Sequence, residues 1–341
     1  MKERIYSFDI LKAIAIIGVV FIHVNSYAYA GEYENSFNYN LNVIFRQIVN
    51  CSVPLFLFIS GFFMAKKEIR NKKEFLIYIQ KALNRVLIPF LIWSTFYSVF
   101  HLMQGESIES VLKKMALFQA SVPFYYILLI VQYYLLQPLL KRIGKSKTGV
   151  FITLFISLFF CFAFEVLKGK YGIQIPFIIY AGNFIVWSIF PVLGIYVKLN
   201  RLSIKVNYFF VASLFFLIVS IFHTLYLAEK YNNTGNAITA IKSTSFLFSI
   251  TFILLLYKLK DSFVYNKAFV KLGELSFGIY FMHMFVLQII MSAFSPFFSN
   301  GQNANILVQL VIVISVILVC TIFGICLRKI NKAAAAKYLG F

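Results

Sequence analysis

Charge is scarce in this chain, and acidic charge is scarcest. Its 341 residues hold 12 Asp and Glu against 32 Lys and Arg, so only 13% of the chain is charged. A soluble domain carries about 25%, and the shortage argues against an ordinary soluble fold. Cysteine is also sparse: Cys51, Cys161, Cys320 and Cys326 all fall inside apolar runs, without a CxxC or a ligand-spaced Cys/His cluster. Buried apolar thiols are the expectation, with no metal centre and no disulfide framework. No internal repeat is visible, which disfavours the inverted-repeat transporter plans. The first apolar run is long and has no small-residue cleavage site, so it is expected to be a span of the mature protein and not a removed leader. No appended soluble domain is expected.

Apolar residues fill the space that charge leaves. They make up 61% of the chain, including 41 Phe and 21 Tyr, and the mean hydropathy is +0.82. A membrane span needs about 20 mostly apolar residues. Ten runs qualify, at 5–28, 41–64, 86–104, 122–140, 149–167, 175–198, 206–228, 239–257, 272–294 and 305–327. The expected fold is an all-α integral membrane protein, one domain over 1–341 with a bundle of about ten transmembrane helices. An even count places both termini on one side. Of the 32 basic residues, 24 fall in the N-terminus, the even-to-odd connections and the C-terminal tail, and six fall in the opposite loops. The positive-inside rule then makes both termini cytoplasmic. The same distribution disposes of nucleic acid as the partner for a net charge of +20, and leaves membrane lipids. One connection is denser than the rest: residues 66–85 carry seven basic residues, which suits either simple orientation or an anionic ligand.

Polar residues inside the spans narrow the function. In "FDILKAIAIIGVVFIHV", residues 8–24, Lys12 and His23 are eleven positions apart, close to three full helical turns, so both face one way about 16 Å apart. Asp9, three residues before Lys12, is placed to pair with it. Ionisable residues at depth usually face a watery cavity or the protein interior and mark function. The plainer reading has Lys12 snorkelling to the interface and His23 as a hydrogen-bonded packing residue. In the second run Arg46 and Asn50 are spaced i,i+4, Pro54 sits mid-span, and "SG" at 60–61 marks the far end, where a helix break would leave backbone groups to be satisfied. Lys81 and Arg85, also i,i+4, sit at the cytoplasmic boundary before "VLIPFLIW". They suit a phosphate-rich ligand or a plain anchor. Ser276, Gly278 and His283 interrupt the ninth run, where small residues let helices approach closely. His101 and His223 lie near the interface and read as surface residues.

In this order the segments resemble the acyltransferase type 3 family, membrane-bound bacterial proteins that O-acylate surface glycans. "FDILKAIAIIGVVFIHV" is similar to the family's Asp-x-x-Arg…His opening span, and "VPLFLFISGFFM" to its Pro-x-Phe-Phe-x-x-Ser-Gly-Phe segment. "KALNRVLIPFLIW" resembles the basic pair before Ile-x-Pro-Tyr/Phe, and "LSFGIYFMHM" resembles Ser-x-Gly-Ile-Tyr-x-x-His. The likeness covers residues 5–327. Lys12 stands where the family has Arg, the basic pair has three intervening residues where two are usual, and Pro123-Phe124-Tyr125-Tyr126 replaces His-x-Trp-Phe.

The resemblance implies a standalone O-acyltransferase in the bacterial cytoplasmic (inner) membrane. The donor would be acetyl-CoA or another acyl-CoA such as succinyl-CoA, and the acceptor a surface or lipid-linked glycan. It implies His23 as general base, with Lys12, Asp9 and Arg46 beside it. Lys81 and Arg85, with Ser60 and Gly61, would serve the donor, and His283, Tyr280 and Ser276 would be structural or acceptor-site residues. A transporter or flippase for a glycan precursor and a non-catalytic membrane scaffold are the readings from other classes. Neither predicts acyl-CoA consumption.

Overall fold

The computed structural model describes residues 6–29, 37–295 and 305–341, and among these every regular element is helical. The N-terminal basic residues Lys2 and Arg4 lie outside the described residues. The chain order is α1 (Tyr6–Asn25), α2 (Phe37–Val49), α3 (Ser52–Ala65), α4 (Lys72–Met103), α5 (Ile108–Ala116), α6 (Tyr125–Leu135), α7 (Gln137–Ile143) and α8 (Lys147–Glu165). Three single-turn pieces, α9 (Phe177–Tyr180), α10 (Phe184–Trp187) and later α13 (Thr234–Ala237), flank α11 (Ile189–Leu199) and α12 (Val206–Tyr231). The chain closes with α14 (Ser243–Leu259), α15 (Lys267–Ala293) and α16 (Ile306–Tyr338). Nine stretches among the described residues are long and apolar enough to cross a membrane. The pair Val122–Leu135 and Gln137–Ile143, bent by 75°, makes a tenth.

Breaks fall where polar side chains take over backbone partners. The second apolar run is divided between α2 and α3 at Asn50–Cys51, not at Ser60–Gly61, where α3 continues unbroken to Ala65. Asn50 donates to the carbonyl of Ile238 at 3.0 Å, while the Gln47 carboxamide oxygen accepts from Ser220 and Ser245 at 2.8 and 2.9 Å. A second buried knot joins three helices: the Asn25 amide donates to Asn42 at 2.8 Å and to Gln309 at 3.0 Å. Polar pairs of this kind tie apolar helices together where hydrophobicity cannot choose between neighbours. The third span is longer than its apolar core: the Asn71 side chain caps α4 by accepting the Glu74 N–H, so Lys81 and Arg85 ride on the same continuous helix.

Burial sorts the helices into centre and shell. In the apolar window of α1, 72% of residues are buried, against 22% in α8 and in α12. On α8, Phe151, Phe155, Phe159 and Phe162 project outward along one face, and only lipid would wet such a stripe. The centre is held by close helix approaches. At Gly273 on α15 a Cβ would overlap the backbone of Asp9 on α1, and at Gly61 on α3 it would overlap Pro191 of α11. Cys51, Cys161 and Cys320 are buried, but Cys326 is exposed, because it lies on the outer face of α16.

Candidate active site

A cavity of about 1210 Å³ runs beside α1. Lys12 and His23 both line it, as do Arg46, Ser60, Lys81 and Arg85. One space thus joins the dense basic connection to the imidazole on the central helix. No group of three or more His, Cys, Asp or Glu able to hold a metal ion is present among the described residues.

At the inner part of this cavity the rings of His23 and His283 lie 5.2 Å apart, centroid to centroid. α1 and α15 run side by side in the same direction, because Gly273 seats against Asp9 and His283 then arrives beside His23 further along both helices. His283 is fully buried and does not line the cavity; it stands behind His23. Tyr280 and Ser276 do line it, and the Tyr280 hydroxyl donates to the Pro123 carbonyl. This bond places the Pro123–Tyr126 segment, with Tyr125 and Tyr126, on the cavity wall.

Arg46 acts on the end of α1. Its Nη1 donates to the Ile22 carbonyl at 2.6 Å and to Ser26 Oγ at 3.2 Å, and its Nε donates to Asn50 at 3.2 Å. The last carbonyls of a helix have no intrahelical donor, and this guanidinium supplies one immediately before His23. Lys12 lies 3.1 Å from Asp9, whose side chain is only 5% exposed, and its ammonium stands 5.9 Å from the Phe63 ring centroid.

Toward the basic end Lys81 and Arg85 are exposed on α4, with Tyr78 and Tyr134 packed edge to face at 6.2 Å beside them. Ser60 lines the cavity while its hydroxyl donates to the Phe56 carbonyl at 2.9 Å. Gly61 does not join it: this glycine is the close contact with α11, which explains the missing side chain without a ligand.

Two features of the wall were not anticipated. Arg328 bridges to Glu274, with Nη1–Oε2 at 3.0 Å and a further bond from Nη2 to the Glu274 carbonyl at 3.1 Å, and both residues line the cavity. Beyond it the chain kinks at Asn331, whose side chain caps the next turn. Residues 332–341 then fold back until Phe341 fills a notch between Gly278 and Gly324. The Trp93 indole donates to the Leu339 carbonyl at 3.3 Å and fastens this tail. His101 and His223 are not simple surface residues either. Each meets a carboxylate, Glu106 at 3.0 Å and Glu165 at 3.3 Å respectively.

The type 3 acyltransferase family model, described as an acyltransferase domain, matches residues 5–325, nearly the whole chain. The chain belongs to this acyltransferase family. No curated protein and no solved structure matches it. As a type 3 acyltransferase the protein is a multi-pass membrane transferase, and the matched region contains every cavity residue named above except Arg328 and the tail from 332 to 341. The match ends at residue 325, before Arg328 and this tail.

Proposed function

We propose that this protein moves an acetyl group from cytosolic acetyl-CoA to a hydroxyl of a surface or lipid-linked glycan, in a bacterial cytoplasmic membrane with the basic end of the bundle facing the cytosol. One observation carries the reading: a single cavity joins His23 to Lys81 and Arg85. Lys81 and Arg85 are placed to attract the CoA phosphates, as charged donors do for phosphate oxygens, and the basic connection around them suits the cytosolic side. The cavity then offers the pantetheine arm a route to His23. Membrane lipids surround the shell helices, and the acceptor approaches from the other end, past Arg46 and Asn50.

In the reaction His23 takes the proton of the acceptor hydroxyl while that oxygen attacks the thioester carbonyl carbon. A tetrahedral oxyanion forms, the C–S bond breaks, the new ester C–O bond remains, and His23-H⁺ returns its proton to the CoA thiolate. A neutral imidazole suits both proton steps because one ring nitrogen can accept a proton and hand it back. Lys12 is on the same cavity face but about 16 Å along α1 from His23, so its charge serves the anionic donor on its way in and not the reacting carbonyl, and Asp9 holds its ammonium in place. Arg46 fixes the segment bearing His23.

The test is thiol release from acetyl-CoA by purified protein, with and without an added glycan acceptor, repeated with succinyl-CoA. Acceptor-dependent CoA release and a matching mass increase of the glycan are expected. No release from any acyl-CoA in the presence of acceptor would overturn the proposal and would return the transporter and scaffold readings to the front.

A further inference from the structure

His283 is buried at 0% exposure, and an imidazole in such a place has to account for both nitrogens. Its Nδ1 lies 2.7 Å from the Tyr280 carbonyl and 3.1 Å from the Ile279 carbonyl. A carbonyl oxygen only accepts, so Nδ1 is the protonated nitrogen and donates to both. Nε2 then carries a lone pair, and it is buried with no hydrogen-bond partner among the described residues. A buried acceptor without a donor carries the penalty of its lost hydration, and one in a native core calls for an explanation. The ring next to it is that of His23.

The surroundings hold this acceptor still. The Tyr97 hydroxyl donates to the Phe281 carbonyl at 2.9 Å and accepts the Phe285 N–H at 3.0 Å. It is thereby inserted into the α15 backbone ladder around His283. The Tyr280 ring flanks His283 at 6.2 Å. Rigid support behind a reactive group is what keeps that group in a productive orientation.

We infer that His283 is a positioning residue for His23: its Nε2 accepts the N–H of His23, so that the opposite nitrogen of His23 presents its lone pair to the cavity. Rings 5.2 Å apart bring facing nitrogens to about 3 Å by a small rotation, a hydrogen-bond distance. Such bonds often tighten only when substrate is bound. The arrangement corresponds to a base and its orienter, with a neutral imidazole in the place where other acyl-transfer sites use a carboxylate. When His23 gains a proton, His283 also accepts from the imidazolium and needs no proton movement of its own. The inference rests on His23 being the base of the proposed transferase.

Two isosteres separate the roles of the two nitrogens. Asn at 283 keeps a donor where Nδ1 serves the backbone carbonyls and loses the acceptor. Gln keeps an acceptor where Nε2 sits and loses the backbone donor. Positioning predicts that H283N lowers kcat by about 100-fold or more with the KM for acetyl-CoA within about threefold, while H283Q loses no more than about tenfold. Thermal unfolding should rank them the other way, with H283N the more stable. If activity instead follows stability, or the two variants are equally active, His283 only supports the helix and the inference fails. A double variant gives the same decision without relying on Gln to fold well. H283N placed on H23A should cost nothing more than H23A alone, and an additive loss overturns positioning. An H23A protein as active as wild type would instead remove the base assignment itself, which is a different failure.

Discussion

The two ends of the cavity are built on opposite plans. Around His23 the polar groups are tied to backbone: His283 to two carbonyls, Arg46 to the Ile22 carbonyl, Tyr280 to the Pro123 carbonyl. At the basic end Lys81 and Arg85 are exposed on a helix that only begins to be buried at Val86. Fixed donors and acceptors suit a step in which atoms must be placed to a fraction of an ångström. Long, solvated cations suit capture of a charged ligand, where reach matters more than register. On the proposed function the difference puts chemistry at one end and affinity at the other, and each role has its own kinetic signature.

Removing His23 is the largest expected break. H23A should lower kcat by about 10²–10⁴-fold, the usual worth of a positioned general base, while the KM for acetyl-CoA stays near its wild-type value in steady-state CoA release. Next comes Arg46. R46K keeps the charge but loses the planar fork that serves Ile22, Ser26 and Asn50 together. A fall in kcat of about tenfold is expected, again with little change in KM; a change confined to KM would move Arg46 from the chemical end to the binding end. The double variant K81A/R85A should do the reverse, raising the KM for acetyl-CoA by about tenfold, the worth of two exposed and screened charge contacts together, with kcat within about threefold. Its KM should also depend less on ionic strength than that of wild type, because the screened charges are gone. If kcat fell and KM held, the division between the two ends would collapse.

What the sequence made legible follows from periodicity. Lys12 and His23 share a face because eleven residues are close to three turns, and that face is the one on the cavity. The spacing of Lys81 and Arg85 placed them together at the basic end for the same reason. Periodicity fixes a face but not the neighbour that face meets. Inside a bilayer apolar spans gain no hydrophobic preference among partners, so the pairing is carried by close-approach sites such as Gly273 against Asp9, visible only once the helices are assembled. The meeting of His23 with His283, some 260 residues away, follows from the packing of α1 along α15 that this approach belongs to. Gly61 shows the converse: it stands in a motif next to a cavity residue, yet its lack of a side chain serves α11. The break at Asn50 and the returning tail at Asn331 had local signals, in polar residues inside or after an apolar run. Their effect depends on distant partners, Ile238 for the first and Trp93 for the last residues of the second.

The smallest expected effect lies outside both ends, in the connection after α4, and it tests whether a third polar cluster belongs to the chemistry at all. Glu106 takes Lys114 at 2.6 Å and His101 at 3.0 Å, and also accepts from the Ser110 hydroxyl at 3.3 Å. The hydrogen bond from Lys114 holds its carboxyl below the ordinary value of 4.5, with the His101 charge adding in the same direction. A carboxylate whose pKa is lowered by folding stabilises the folded state above its ordinary pKa, and the contribution fades as pH falls through the lowered one. E106Q should therefore melt slightly below wild type at pH 7, by less than the variants of the helix core. The gap should narrow as the pH is taken down to about 4 and below. Because the cluster is solvated, the shift should also shrink in high salt. Turnover of E106Q at pH 7 should match wild type, with kcat and the acetyl-CoA KM both unchanged. A loss of kcat without a loss of stability would tie this connection to the His23 end, and the comparison would then need three regions instead of two.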